Sequence, residues 1–122
     1  MKILICDDSA VMRGIIRRTL DQYGVNADFE LSEAKDGQQA LDHIAKEVPD
    51  LVFLDWNMPN LDGLGVVKRL RSQGSKVPIV MITSVTDPER VYEACEAGVT
   101  DYIEKPVSQI MLWERIKEHT RS

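Results

Sequence analysis

Leu51-Val52-Phe53-Leu54-Asp55 is an unbroken apolar run that stops on a carboxylate. A strand wetted on one face would alternate apolar with polar residues. This run does not alternate, so it reads as a strand covered on both faces. Two more runs share the form. Ile3-Leu4-Ile5-Cys6 ends at Asp7-Asp8, and Ile79-Val80-Met81-Ile82 ends at Thr83-Ser84. Strands of this kind belong to parallel sheets flanked by helices.

Helical patterns lie between the runs. From Ser9 to about Tyr23, Met12, Ile15, Ile16 and Leu20 share a face, and Gly24 stops the helix. Phe29 to Ala34 is a weaker strand, interrupted by Glu30, Ser32 and Glu33. Asp36 caps a helix with an Ala40, Leu41, Ile44, Val48 stripe, broken by Pro49-Asp50. Asp62-Gly63 opens a third helix with Leu64, Val67 and Leu70 inward. Thr86-Asp87-Pro88-Glu89 starts a fourth, with Val91, Ala94 and Cys95 inward and Gly98 at its end. Tyr102-Ile103 is a last short strand, and Ser108 caps a helix reaching His119. Strand then helix, repeated five times with right-handed crossovers, predicts a doubly wound α/β fold with a five-stranded parallel sheet. In such sheets ligands bind beyond the carboxyl ends of the strands.

Length and composition set the outer bounds. The 122 residues read as one domain, 1–122, with no room for a second, effector domain. Fifteen basic against twenty acidic residues give a net charge of −5, which speaks against direct DNA binding. No apolar run approaches the roughly 20 residues that span a membrane. The start of the chain lacks a signal-peptide pattern, so it reads as cytoplasmic. Cys6 and Cys95 read as two buried, reduced thiols. His43 and His119 read as solvated helix residues.

The strand ends collect the chemistry. Asp7 and Asp8 end the first strand, Asp55 the third, Thr83 the fourth, and Lys105 the fifth. Two unit charges at about 5 Å repel by roughly 3 kcal/mol at an effective dielectric near 20. Three clustered carboxylates therefore need counter-charge, or one takes up a proton. Lys105 supplies one positive charge and a divalent cation would supply the rest. An all-oxygen donor set favours Mg²⁺, with Mn²⁺ as the alternative, over zinc. A carboxylate can accept a phosphoryl group as a nucleophile. Asp55 has the best claim, since it follows a buried strand and precedes a mobile-looking loop, Trp56 to Asn60. Asp62 reads as a helix cap only. Gly37, Gly63, Gly74 and Gly98 read as turn or C-cap glycines.

These residues, in this order, resemble the receiver domains of response regulators, and within them the stand-alone chemotaxis regulators. The segments that match are Asp7-Asp8-Ser9, Asp36-Gly37, Leu54-Asp55-Trp56-Asn57-Met58-Pro59, Asp62-Gly63, Ile82-Thr83-Ser84, Ala97-Gly98, Asp101-Tyr102 and Lys105-Pro106. The resemblance covers essentially the whole chain. It implies a flavodoxin-like (βα)5 fold with strand order 2-1-3-4-5. It implies a phosphorylation-dependent switch rather than a metabolic enzyme, with a histidine kinase as phosphodonor. Asp55 would be the phosphoacceptor. Asp7, Asp8, Asp55 and the backbone carbonyl of Asn57 would hold Mg²⁺. Lys105 would contact the phosphoryl group, Thr83 would sense it, and Tyr102 would swing inward. The Lys105-Pro106 bond would be cis.

Asn57 and Val85 would flank the path of the attacking water. An apolar Val85 cannot position water, so it would alter phosphoryl lifetime relative to an acidic residue. The downstream partner would dock on the fourth helix, fifth strand and fifth helix. There Ile110, Met111, Leu112 and Trp113 are consecutive and apolar, and one helix face cannot bury them all. Leu112 and Ile116 suit the core, which leaves Ile110, Met111 or Trp113 outside with Tyr102. A monomer or weak dimer is expected. A phosphorelay shuttle or a phosphate sink would use the same residues. A Mg²⁺-dependent phosphohydrolase with an Asp nucleophile would need a carboxylate where Asn57 stands. A flavin module would need a Ser/Thr/Gly-rich phosphate loop after the first strand, and a Rossmann domain a GxGxxG.

Overall fold

The computed structural model describes residues 1–23 and 29–120. Among the described residues ten elements alternate: β1 (Lys2–Cys6), α1 (Ala10–Tyr23), β2 (Glu30–Ala34), α2 (Gly37–Lys46), β3 (Leu51–Leu54), α3 (Gly63–Ser72), β4 (Ile79–Thr83), α4 (Pro88–Ala97), β5 (Asp101–Glu104) and α5 (Gln109–Thr120). All strand pairs are parallel, and the order is β2-β1-β3-β4-β5. This is the flavodoxin-like doubly wound sheet that the strand–helix alternation and the family resemblance predict. The order reverses between β1 and β3, which opens the crevice where ligands bind in such sheets.

The apolar runs are uninterrupted because each strand feeds two cores. Val52 and Leu54 join Leu4, Cys6, Ile79 and Met81 against Ala40, Ile44, Leu64, Val67, Leu70 and Ala94 of α2, α3 and α4. Leu51 and Phe53 point the other way. They join Ile3, Ile5, Val80 and Ile82 against Ile16, Leu20, Leu112 and Ile116 of α1 and α5. Each fully buried side chain of this size contributes about 1.5–3 kcal/mol relative to exposure.

Helix starts follow the capping residues. The Ser9 hydroxyl accepts from Met12 N, so Ser9 is the cap and α1 begins at Ala10. Asp36 and Asp62 accept from Gln39 N at 2.7 Å and Gly65 N at 2.8 Å. Asp87 accepts from Glu89 N, with Pro88 in the first turn, and Ser108 accepts from Met111 N. Gly98 closes α4 in the left-handed region at φ 109°. The expected stop at Gly24 lies outside the described residues.

Four expectations need correction. Val48 is exposed and lies beyond α2, which ends at Lys46. Glu47 is already extended, and the residue before Pro49 is driven out of helical geometry. Cys95 is exposed, since Ala94 alone of α4 is fully buried. His119 is not solvated. Its side chain is 16% exposed and its Nε2 lies 3.2 Å from Asp101 Oδ2. Gly37 and Gly63 are neither turn nor C-cap residues. Each is the first residue of its helix, where the backbone of another segment passes too close for a Cβ.

Candidate functional site

The hydrogen-bond ladder of the sheet continues one residue past its strands. Asp7 N donates to Ala34 O at 3.1 Å and Asp55 N to Cys6 O at 2.9 Å. Lys105 N donates to Thr83 O at 2.9 Å. The main chains of Asp7, Asp55, Thr83 and Lys105 are thus held by the rigid sheet while their side chains reach into the crevice.

There the charged groups meet. Lys105 Nζ lies 3.2 Å from Asp7 Oδ2 and 3.2 Å from Asp55 Oδ2. Carboxylate oxygens of Asp7, Asp8 and Asp55 all lie within 4.8 Å of one another. Asp7 and Asp55 are buried and Asp8 is exposed, so the cluster opens to solvent on one side. Burial pushes the Asp7 carboxyl above the ordinary carboxylate range, and the Asp55 charge pushes the same way. The Ser9 amide and Lys105 pull against them without cancelling the shift. For Lys105, burial works to lower the ammonium pKa, but Asp55 and Asp7 raise it, so the lysine stays cationic. One ammonium therefore does not balance the cluster. The donors are all carboxylate oxygens, which fits a hard divalent cation.

The second cluster of ligand-type side chains differs. Asp101, Glu118 and His119 also approach within 4.8 Å, but Arg115 Nε already sits 2.8 Å from Asp101 Oδ2. That guanidinium supplies the positive charge.

Thr83 is fully buried, and its Oγ1 accepts from Val85 N at 3.2 Å. The Tyr102 hydroxyl donates to Val85 O. Val85 is therefore gripped by its amide from Thr83 and by its carbonyl from Tyr102. The Tyr102 ring is already half-buried, and burial, with the Asp55 charge second, raises its hydroxyl pKa. The Lys105-Pro106 bond is cis, as the resemblance implies.

The loop after Asp55 is packed rather than loose. Trp56 and Met58 are buried in the core beside α2 and α3. Gly63 N donates to Trp56 O at 2.8 Å. Asn57 stands exposed in this loop, two residues past Asp55. Asn60 holds a left-handed φ of 68°, and its Nδ2 donates to Asp36 Oδ2 at 2.9 Å.

The sequence reading missed two neighbours of the site. A Cβ on Gly63 would stand 2.2 Å from Asp55 O, so α3 rests directly on the backbone of Asp55. Arg13 on α1 donates from Nη1 to Asp7 O at 2.7 Å and from Nε to Glu33 Oε1 at 2.8 Å. A lone Arg in a helical pattern carries no such signal before the helix is docked.

Comparison with known proteins identifies the family of the fold. Residues 3–117 match the family model for the response regulator receiver domain. The chemotaxis protein CheY-3 of Vibrio cholerae serotype O1 is 39% identical over 118 residues, which is 95% of this chain and 88% of that protein. The probable transcriptional regulator ycf27 of Porphyridium aerugineum is 41% identical over 120 residues, 98% of this chain. This chain spans 48% of that relative's length. Among solved structures, Vibrio cholerae CheY4 superposes with a TM-score of 0.84 at 33% identity, covering 96% of each chain.

Proposed function

The chain belongs to the response-regulator receiver family, and from that premise we propose that it is a switch set by phosphorylation of Asp55. Residues 1–122 read as one receiver domain. A histidine kinase of a two-component system is the phosphodonor. The observation that carries the reading is Lys105 Nζ bridging Asp7 and Asp55 within a three-carboxylate cluster still short of positive charge.

Asp7, Asp8 and Asp55, with the backbone carbonyl of Asn57, would hold Mg²⁺. When bound, the ion supplies positive charge at the oxygens of the incoming phosphoryl group. An Asp55 carboxylate oxygen attacks phosphorus as the P–N bond to the donor imidazole breaks, its electron pair leaving on nitrogen. Lys105, whose Nζ lies 3.2 Å from Asp55 Oδ2, holds a phosphoryl oxygen on Asp55 in this reading.

The readout runs through Val85. The Thr83 hydroxyl, which accepts from Val85 N at 3.2 Å, donates its own proton to a phosphoryl oxygen, and reaching that oxygen draws it toward Asp55. When Thr83 turns to the phosphoryl group, the loop after β4 moves, and Tyr102, tied to the Val85 carbonyl, follows it. That reshapes the face of α4, β5 and α5, where Ile110 is 65% exposed and Met111 39% exposed. A protein partner docks there. Likeness to CheY-3 supports a role in chemotaxis or motility control. An apolar Val85 beside the site alters the lifetime of the acyl phosphate, since it cannot orient water.

Acetyl phosphate with Mg²⁺, followed by intact-mass measurement, tests the reading. One added phosphoryl group that is lost in Asp55→Asn is the expected result. Continuous turnover of varied phosphate esters would instead mark a phosphohydrolase and overturn it.

A further inference from the structure

The Asp8 carboxylate is exposed and makes no hydrogen bond among the described residues. Asp7 is different, with its carboxylate anchored by Ser9 N and Lys105 Nζ. What fixes Asp8 is the peptide that joins the two, and the Asp7 carbonyl of that peptide takes a 2.7 Å hydrogen bond from Arg13 Nη1. The Arg13 side chain is only 11% exposed. Its Nε is turned to Glu33 Oε1 at 2.8 Å, and Glu33 in turn takes Arg17 Nη2 at 2.9 Å. Glu33 lies on β2, one residue before Ala34, whose carbonyl accepts from Asp7 N. The Asp7 backbone is thus gripped on both sides, by β2 at its amide and by Arg13 at its carbonyl. The planar guanidinium fork can make both bonds at once, which an ammonium cannot match.

We propose that Arg13, locked by Glu33, is a positioning residue that holds the Asp7-Asp8 peptide so that both carboxylates face the metal site. This rests on the metal site proposed above. Partners that orient metal ligands without touching the ion typically change affinity by about 10–100-fold when lost. A cation beside a cation site has the opposite Coulombic effect, for its removal alone would tighten Mg²⁺ binding. Positioning and charge therefore predict opposite signs.

The test titrates Mg²⁺ into the unphosphorylated full chain and follows emission from Trp56, which is buried next to Asp55. Melting midpoints without metal are recorded alongside. Arg13→Met and Arg13→Lys should both bind Mg²⁺ about tenfold more weakly than wild type. Glu33→Gln, which keeps the arginine but weakens its lock, should shift binding the same way by less. It keeps the proposal testable should Arg13→Met fail to fold. Tighter binding in Arg13→Met with wild-type binding in Arg13→Lys would make Arg13 a mere charge and overturn the proposal. Lowered melting midpoints with unchanged Mg²⁺ affinity would make it a structural brace and overturn it equally. A wild-type chain that does not respond to Mg²⁺ would remove the metal site itself, and this proposal with it.

Discussion

Asp7 shows how one carboxylate can serve a site at the expense of the fold. Burial, seconded by the Asp55 charge, holds its pKa above the ordinary range when no metal is present. The folded chain therefore binds this proton more tightly than the unfolded chain. The group supports folding fully only below the unfolded value, about 3.9, and loses that support as pH rises through the folded value. Asp7→Asn removes the ionisable group and can still accept from Ser9 N. In EDTA at pH 7 it should melt above wild type, with the gap closing below about pH 4. A variant that melts lower at pH 7 would show that the Lys105 contact outweighs desolvation. The strand-end acids and Lys105 were legible in the sequence because a strand end needs only a local pattern to be found. Arg13 and Gly63 were not, since their meaning depends on where α1 and α3 dock.

At the scale of elements, α3 bears on the site most directly. Its first residue has no Cβ, and one placed there would meet Asp55 O at 2.2 Å. Gly63→Ala must push α3 away from the loop that follows β3. Overpacking of this kind costs about 1–3 kcal/mol. Gly14, inside α1, is the opposite case, for a Cβ added there would meet nothing within 4 Å. Gly14→Ala should stabilise the fold by about 0.5–1 kcal/mol, because alanine is the better helix former. Urea unfolding of both variants checks the pair, and equal signs would refute the packing argument. The elements themselves were largely readable. Caps such as Asp36, Asp62 and Asp87 announced helix starts, and apolar runs announced β1, β3 and β4. The failures came where one helical period met a narrow contact. Val48 kept the stripe's spacing after α2 had ended, and Cys95 sits next to Ala94, the one fully buried residue of α4.

At the scale of the molecule, the two cores and the sheet place four distant strand ends around one crevice, and the strand order that does so is nonlocal. Periodicity alone could announce parallel strands and helices on both faces. The order 2-1-3-4-5 came only with the family resemblance. The result is a rigid frame with unbalanced negative charge at one end, and this makes stability depend on what binds there. A ligand that binds only the folded chain stabilises it by about 2.7 kcal/mol when present at 100 times its dissociation constant. For a domain of this size that is a rise of roughly 5–15 °C in melting midpoint. Mg²⁺ should therefore raise the melting midpoint of wild type in a saturable way. Asp8→Ala removes one of three mutually repelling carboxylates, so it should raise the metal-free midpoint if it moves it at all, while removing the Mg²⁺-dependent rise. An equal rise in both proteins would mark general ionic stabilisation of an acidic surface. No rise in wild type would leave the Lys105 ammonium as the counter-charge of the crevice and would refute its assignment as a metal centre.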